Sequence, residues 1–133
     1  MNLLFDSIAT GLAEQEFAIT DQFLSQTEVD AILALPHFQA GRGAFKKAGI
    51  SKQVQVNEAI RGDYIQWIDK ASAPEAASVY LHRLDELIRY LNRNLFLSLK
   101  DAEVHYTFYP PGTFYKRHLD QFKQDDHRKL SVI

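Results

Sequence analysis

The chain has 133 residues, of which 46% are hydrophobic and 24% are charged, and its formal net charge is −2. This length and composition are typical of one globular domain or part of one. The small net charge gives no general attraction to nucleic acids or anionic membranes. The chain contains no cysteine, which excludes disulfides, thiolate metal sites and a cysteine nucleophile. The N-terminal stretch MNLLFDSIATGL lacks the basic region of a signal peptide and no segment has the length of a membrane span, so we expect a cytoplasmic protein.

The N-terminal third of the chain is predicted to be mainly helical. Apolar residues recur at every fourth position over residues 3–16 and predict a first helix. The segment FAITDQFL, residues 17–24, is predicted to be a short strand that enters a turn. Ser25 and Glu28 then form an S-x-x-E capping box at the start of a second helix, which we expect Pro36 to end.

A basic, glycine-containing segment follows at residues 41–56 and is predicted to be a loop between strands. Within it, SKQVQVNE (residues 51–58) has a weak strand pattern. The segment carries four basic residues and no acidic one, which would suit a nucleic-acid binder. However, its only aromatic residue is Phe45, and four charges in a loop are more often solvated or in contact with protein. We therefore rank nucleic-acid binding last.

Residues 75–95 have the strongest helical pattern in the chain. One side of this predicted helix is apolar and the other is charged, so the helix must pack its apolar side on a sheet or on another helix. The apolar stripe consists of Tyr80, Leu84, Leu87, Ile88, Leu91 and Leu95.

After Lys100 the apolar period changes from helical to two, which predicts strands. The segments EVHYTFY (103–109) and TFYKRHLD (113–120) both alternate, with the turn sequence PPG between them, and RKLSVI (128–133) begins a third strand. Helices followed by consecutive strands indicate an α+β fold, or an all-β fold decorated with helices.

A histidine and an aspartate lie two residues apart in the second of these strands. If residues 113–120 are extended, His118 and Asp120 lie on one face and can offer a nitrogen and an oxygen to a single cation. Such ligands with open positions are typical of the facial triad of non-haem Fe(II) oxygenases. The alternatives are a solvated surface pair, since His-x-Asp alone is a weak motif, and plain core packing for the surrounding aromatic strand.

Three ordered motifs give the chain a family resemblance. YPPGTFYKRHLDQF followed by RKLSVI, IRGDYIQWID at residues 60–69, and LDELIRYLN at residues 84–92 resemble the Fe(II)- and 2-oxoglutarate-dependent dioxygenases of the prolyl hydroxylase type. The similarity is greatest to the hypoxia-sensing prolyl hydroxylases of animals and their bacterial relatives, and it extends from roughly residue 15 to the end.

The resemblance implies a fold and an activity. The fold would be α+β, with N-terminal helices packed on a double-stranded β-helix (a cupin-like jelly roll), and residues 1–133 would be the N-terminal part of that single domain, comprising the helices and the first barrel strands. The activity would be hydroxylation of a protein or peptide substrate, with proline as the expected target, and release of succinate and CO₂. Fe(II) would be the cofactor, 2-oxoglutarate and O₂ the co-substrates, and ascorbate a further candidate.

The resemblance also implies roles for individual residues. His118 and Asp120 match the first two iron ligands. Tyr109 matches a tyrosine that reaches the 2-oxoglutarate pocket, Tyr115 matches a tyrosine that lines the pocket near the substrate, and Arg128 matches an arginine beside the peptide-binding surface.

Residues 41–63 match the flexible loop that folds over the protein substrate in this family. Arg61 and Asp63 are expected to form an anchoring pair at the end of this loop. For Trp67, a few residues later, we expect packing in the core.

The sequence departs from the family after Asp120. The family's second histidine ligand and the arginine that pairs with 2-oxoglutarate would lie beyond Ile133, and His127 in the polar run KQDDHRK is expected to be a solvated loop residue. We therefore expect the chain to be part of a longer enzyme. The alternative is a truncated, non-catalytic relative that acts as a protein-binding module.

Overall fold

The computed structural model describes residues 1–39, 46–47, 62–120 and 128–133. By contacts, the chain divides into two compact units, one formed by Met1–Leu35 and Asp69–Ala102 and the other by Pro36–Ile68 and Glu103–Ile133. In chain order, the elements are α1 (Asn2–Gln15), α2 (Gln26–Leu33), α3 (Pro36–Gln39), β1 (Lys46–Lys47), β2 (Tyr64–Trp67), α4 (Glu75–Leu95) and β3 (His105–Phe108). None of the described helices is both long and apolar enough to cross a membrane.

Helix α4 is the centre of the first unit. Its buried residues recur every three or four positions, as expected for one side of a helix that packs on its neighbours, and α1 and α2 are those neighbours. The predicted helix over 75–95 is thus confirmed, and Leu91 is fully buried. The buried side of α4 consists of Ala77, Leu81, Leu84, Leu87 and Leu91.

The predicted capping box at the start of α2 is also confirmed. The Ser25 hydroxyl accepts a hydrogen bond from the Glu28 backbone N–H, and the Glu28 carboxylate accepts one from the Ser25 N–H. Two backbone donors that a helix start leaves unpaired are thereby satisfied. Helix α2 ends at Leu33, and Pro36 begins the short helix α3.

The predicted strand at residues 17–24 is wrong. This segment has no strand structure and belongs to a unit in which every element is a helix. Its apolar anchor Phe23 packs by its side chain against Phe5 and Tyr80, with ring centroids 6.5 and 5.8 Å apart. A short segment with apolar anchors does not by itself form a strand, because a strand needs a partner for its backbone hydrogen bonds.

The second unit contains a three-stranded antiparallel sheet in the order β1-β2-β3. Strand β3 pairs with β2 in a register that sets His105 opposite Trp67 and Phe108 opposite Tyr64. The predicted strand over 103–109 is therefore confirmed for its central part. The PPG turn is also present: the Thr113 N–H donates to the Pro110 carbonyl at 3.0 Å, and Gly112 has the positive φ of 80° that favours glycine. Together these features confirm an α+β chain.

Three other predictions in this unit are corrected. Residues 113–120 are not a regular strand, since only Tyr115 forms a strand-like bridge, and residues 128–133 are not assigned to a strand. Trp67 is not a core residue: it is 55% exposed, and its ring is nearly perpendicular to the His105 ring across the strand pair, with an interplanar angle of 84°. The loop and the weak strand predicted over 41–58 lie outside the described residues, apart from the two residues of β1.

Candidate active site

The side chains of His118 and Asp120 point at each other. His118 Nε2 lies 3.1 Å from Asp120 Oδ1, so the predicted proximity of the two groups is confirmed even though the segment is not a regular strand. Both side chains are partly exposed, at 34% and 44%. They form one wall of an open depression that residues 128–131 also line.

The hydrogen bonds of His118 determine which of its ring nitrogens carries a hydrogen and which can bind a cation. Nδ1 lies 2.7 Å from the carbonyl oxygen of Lys116, and because a carbonyl can only accept, Nδ1 carries the hydrogen. In the neutral ring, Nε2 then has a free lone pair that faces the carboxylate oxygen of Asp120. Either an imidazolium that donates to the carboxylate or a metal ion bound by both atoms satisfies this geometry. The pair is compatible with a metal such as Fe(II), whose imidazole ligands commonly donate their other N–H to a backbone carbonyl.

Two residues of the segment 128–131 donate hydrogen bonds to Asp120. The Ser131 hydroxyl donates a hydrogen bond to Asp120 Oδ2, and Arg128 Nη1 donates to the Asp120 carbonyl oxygen at 3.2 Å. The hydrogen bond from Ser131 lowers the pKa of Asp120, with further lowering from His118 and Arg128, while partial burial opposes the shift. Asp120 is thus favoured in the ionised form that binds a cation.

Tyr115 lies against the imidazole ring. The phenol ring of Tyr115 stacks on His118 with centroids 3.5 Å apart and planes only 8° from parallel. The resemblance gave Tyr115 a place near the substrate, and the structure sets it directly on the first candidate ligand.

The other predicted site residues are more dispersed. Tyr109 follows β3 directly and is 44% exposed. Arg128 lies between the Asp120 carbonyl and Glu103, whose Oε2 is 3.6 Å from Nη2. Asp63 is buried, with 2% exposure. Its expected partner Arg61 lies outside the described residues.

The backbone next to Asp63 is joined to the segment that carries Tyr115 and His118. The Gly62 N–H donates to the Phe114 carbonyl at 2.9 Å. A Cβ atom on Gly62 would lie 2.7 Å from Thr113 Cβ, so only glycine permits this approach without displacement.

Sequence reasoning missed Ser131. The only available signal was a hydroxyl residue in an apolar segment downstream of Asp120, and nothing in its spacing indicates a contact with the carboxylate. Among the residues that the structure describes, no group of three histidine, cysteine, aspartate or glutamate side chains comes together to hold a metal. His127 lies outside those residues.

Comparison with known proteins gives two informative structural matches. A prolyl-4-hydroxylase from Pseudomonas putida is 39% identical in sequence, with a TM-score of 0.78 over 89% of this chain. A prolyl hydroxylase from Trichoplax adhaerens, solved in complex with a peptide fragment of the hypoxia inducible factor oxygen degradation domain, is 28% identical, with a TM-score of 0.75 over 89% of this chain. No family model matches the sequence, and a search of curated proteins gives no match.

The matches cover most of this chain but not most of either relative. The chain spans 62% of the bacterial protein and 55% of the animal protein. We attribute this identity and structural similarity to common ancestry. The chain is therefore related to the prolyl hydroxylases and corresponds to part of the length of such a protein.

Proposed function

We propose that this chain carries the first part of the active site of an Fe(II)- and 2-oxoglutarate-dependent dioxygenase that hydroxylates a protein, with proline as the target residue. The observation that carries the proposal is the 3.1 Å approach of His118 Nε2 to Asp120 Oδ1, with Nδ1 bonded to a backbone carbonyl. The 39% identity to a bacterial prolyl-4-hydroxylase supports it. On this proposal, residues 1–133 are the N-terminal part of a single jelly-roll domain.

The two candidate ligands would hold the metal through one nitrogen and one oxygen. Bound Fe(II) supplies the redox chemistry that couples decarboxylation of 2-oxoglutarate, with release of succinate and CO₂, to hydroxylation by O₂. The protein's part is to fix the ligands: the Lys116 carbonyl orients the imidazole, and the hydrogen bond from Ser131 orients the carboxylate.

Aromatic and basic residues around the pair would serve the co-substrate and the protein substrate. Tyr109 would contact 2-oxoglutarate, and Tyr115 would limit the access of water to the face of His118 on which it stacks. Arg128 would lie beside the bound peptide, and the loop that ends at Arg61 and Asp63 would close over it. The peptide complex of the Trichoplax adhaerens relative supports a peptide partner.

A second candidate function is a protein-binding module without catalysis. It is supported by the peptide that the Trichoplax adhaerens relative holds in its complex. Such a module would keep the peptide-binding surface and have no need of a third iron ligand.

One assay separates the two candidates. The natural-length protein that contains residues 1–133 is incubated with Fe(II), 2-oxoglutarate, O₂ and proline-containing peptides, and succinate is measured for wild type and His118→Ala. Succinate release that depends on Fe(II) and is lost in the variant supports the enzyme. Peptide binding without succinate, unchanged by His118→Ala, supports the binding module. Succinate release equal in both proteins contradicts the proposed role of His118.

A further inference from the structure

The two oxygens of the Asp120 carboxylate have different partners. Oδ2 accepts a hydrogen bond from the hydroxyl of Ser131, eleven residues later in the chain. Oδ1 is the oxygen that faces His118 Nε2 at 3.1 Å. Because Ser131 occupies Oδ2, Oδ1 is the oxygen that remains for a cation beside His118.

Without Ser131, both carboxylate oxygens could approach the same cation. The torsion that turns a carboxylate about its Cβ–Cγ bond is broad and nearly two-fold, so the two oxygens exchange easily in a free side chain. The side chain of Asp120 is 44% exposed, so packing alone does not fix it. Arg128 Nη1 holds the backbone carbonyl of Asp120 at 3.2 Å, so among the described residues the carboxylate itself is contacted by His118 at Oδ1 and by Ser131 at Oδ2.

We propose that Ser131 is a positioning residue for Asp120: its hydrogen bond occupies one carboxylate oxygen, so that Asp120 binds the metal through the other oxygen alone. The inference rests on the proposed function, because it assumes that His118 and Asp120 bind a cation. A carboxylate that binds through one oxygen fills one coordination position and leaves the others open for co-substrates, as an oxygenase site requires. Hydrogen-bond partners of metal ligands typically change metal affinity by about 10–100-fold.

The test compares Ser131→Val with Ser131→Thr in the natural-length protein that contains residues 1–133. The two new side chains have the same shape and differ in the hydroxyl, and both are placed at an exposed position. Each protein is titrated with Mn²⁺ alone, and free Mn²⁺ is measured by electron paramagnetic resonance. His118→Ala is the reference for loss of the site, and circular dichroism confirms that every variant is folded.

We expect Ser131→Val to weaken Mn²⁺ binding by about 10–100-fold and Ser131→Thr to bind as wild type does. If Ser131→Val binds as wild type does while His118→Ala loses binding, the metal site stands and the role of Ser131 is wrong. If both Ser131 variants lose binding equally, the hydroxyl is not responsible and the inference is again overturned. If wild type binds no better than His118→Ala, the metal site itself is wrong, and the inference fails with the proposed function.

Discussion

Tyr115 and His118 form a nearly parallel ring stack, with centroids 3.5 Å apart and an interplanar angle of 8°. Two neutral rings disfavour a direct sandwich because their negative faces repel. The arrangement becomes favourable when one ring is electron-poor, as an imidazole is when a cation is bound at Nε2. A cation bound at His118 Nε2 would therefore strengthen the stack.

Replacing Tyr115 tests whether this stack exists in solution. In Tyr115→Leu we expect the ring protons of His118 to move downfield in NMR spectra, because the shielding ring current of the phenol is lost. Tyr115→Phe keeps a ring in place and should leave these resonances near their wild-type positions. An aromatic pair contributes about 1 kcal/mol, so the leucine variant should also bind Mn²⁺ roughly fivefold more weakly. Unchanged His118 resonances in Tyr115→Leu would show that the rings are not stacked.

The ion pair between Arg83 and Glu28 makes the helical unit sensitive to acid. Arg83 donates to both carboxylate oxygens of Glu28, at 2.5 and 3.0 Å, and to the Phe23 carbonyl at 2.6 Å. Hydrogen bonding from Arg83 lowers the pKa of Glu28 below its ordinary value of 4.5, against the effect of desolvation. Since the folded state has the lower pKa, its stabilisation is complete above the unfolded pKa and is lost as the pH falls through the folded one.

We therefore expect urea unfolding to show a loss of stability below about pH 4.5 that is smaller in Glu28→Gln. At pH 7 the glutamine variant should be less stable than wild type, because it lacks the charge that Arg83 pairs with. Glu14→Gln is the matched control, since Glu14 is exposed on α1. Identical acid dependence in wild type and Glu28→Gln would contradict this role of the ion pair.

The capping box at Ser25 should contribute measurably to stability. Ser25→Ala removes the hydroxyl that accepts the Glu28 N–H at 3.2 Å, and loss of such a cap costs about 1 kcal/mol. Ser25→Asp supplies another good cap and should retain most of the stability. The check is the urea midpoint of each variant, with Ser7→Ala, at an exposed position on α1, as a control. Equal losses in the alanine and aspartate variants would rule out capping as the cause.

The core of the helical unit depends on Leu91. Its side chain is 0% exposed, so Leu91→Ala removes buried apolar surface and leaves a cavity, at a cost of about 2–5 kcal/mol. Leu3→Ala makes the same change at a position that is 87% exposed and should cost less than about 0.5 kcal/mol. Urea denaturation measures both changes. A loss in Leu91→Ala as small as that in Leu3→Ala would mean that α4 is not packed as described.

Sequence reasoning predicted well those features whose determinants are local. The helix over 75–95 and the capping box of Ser25 and Glu28 depend on residues a few positions apart, and both are present. The proximity of His118 and Asp120 is local in the same sense, since any extended backbone brings residues two apart onto one side.

Features that depend on distant partners were not predictable in the same way. The alternation in 113–120 says nothing about whether a neighbouring strand is there to accept hydrogen bonds. Trp67 was assigned to the core by residue type, but burial depends on what covers that face of the sheet. Ser131 contacts Asp120 although the two residues are eleven positions apart in the chain. The spacing of apolar residues in the sequence does not indicate such a contact.

The hydrogen bond between Gly62 and Phe114 has a mechanical consequence. Phe114 is adjacent to Tyr115, and Gly62 is adjacent to Asp63, so one backbone contact of 2.9 Å couples the end of the predicted substrate loop to the ring that covers His118. A Cβ atom on Gly62 would lie only 2.7 Å from Thr113 Cβ, so any larger residue at position 62 would displace this backbone contact. A displacement of the backbone at Gly62 would therefore also displace Phe114 and, with it, the neighbouring Tyr115 that stacks on His118.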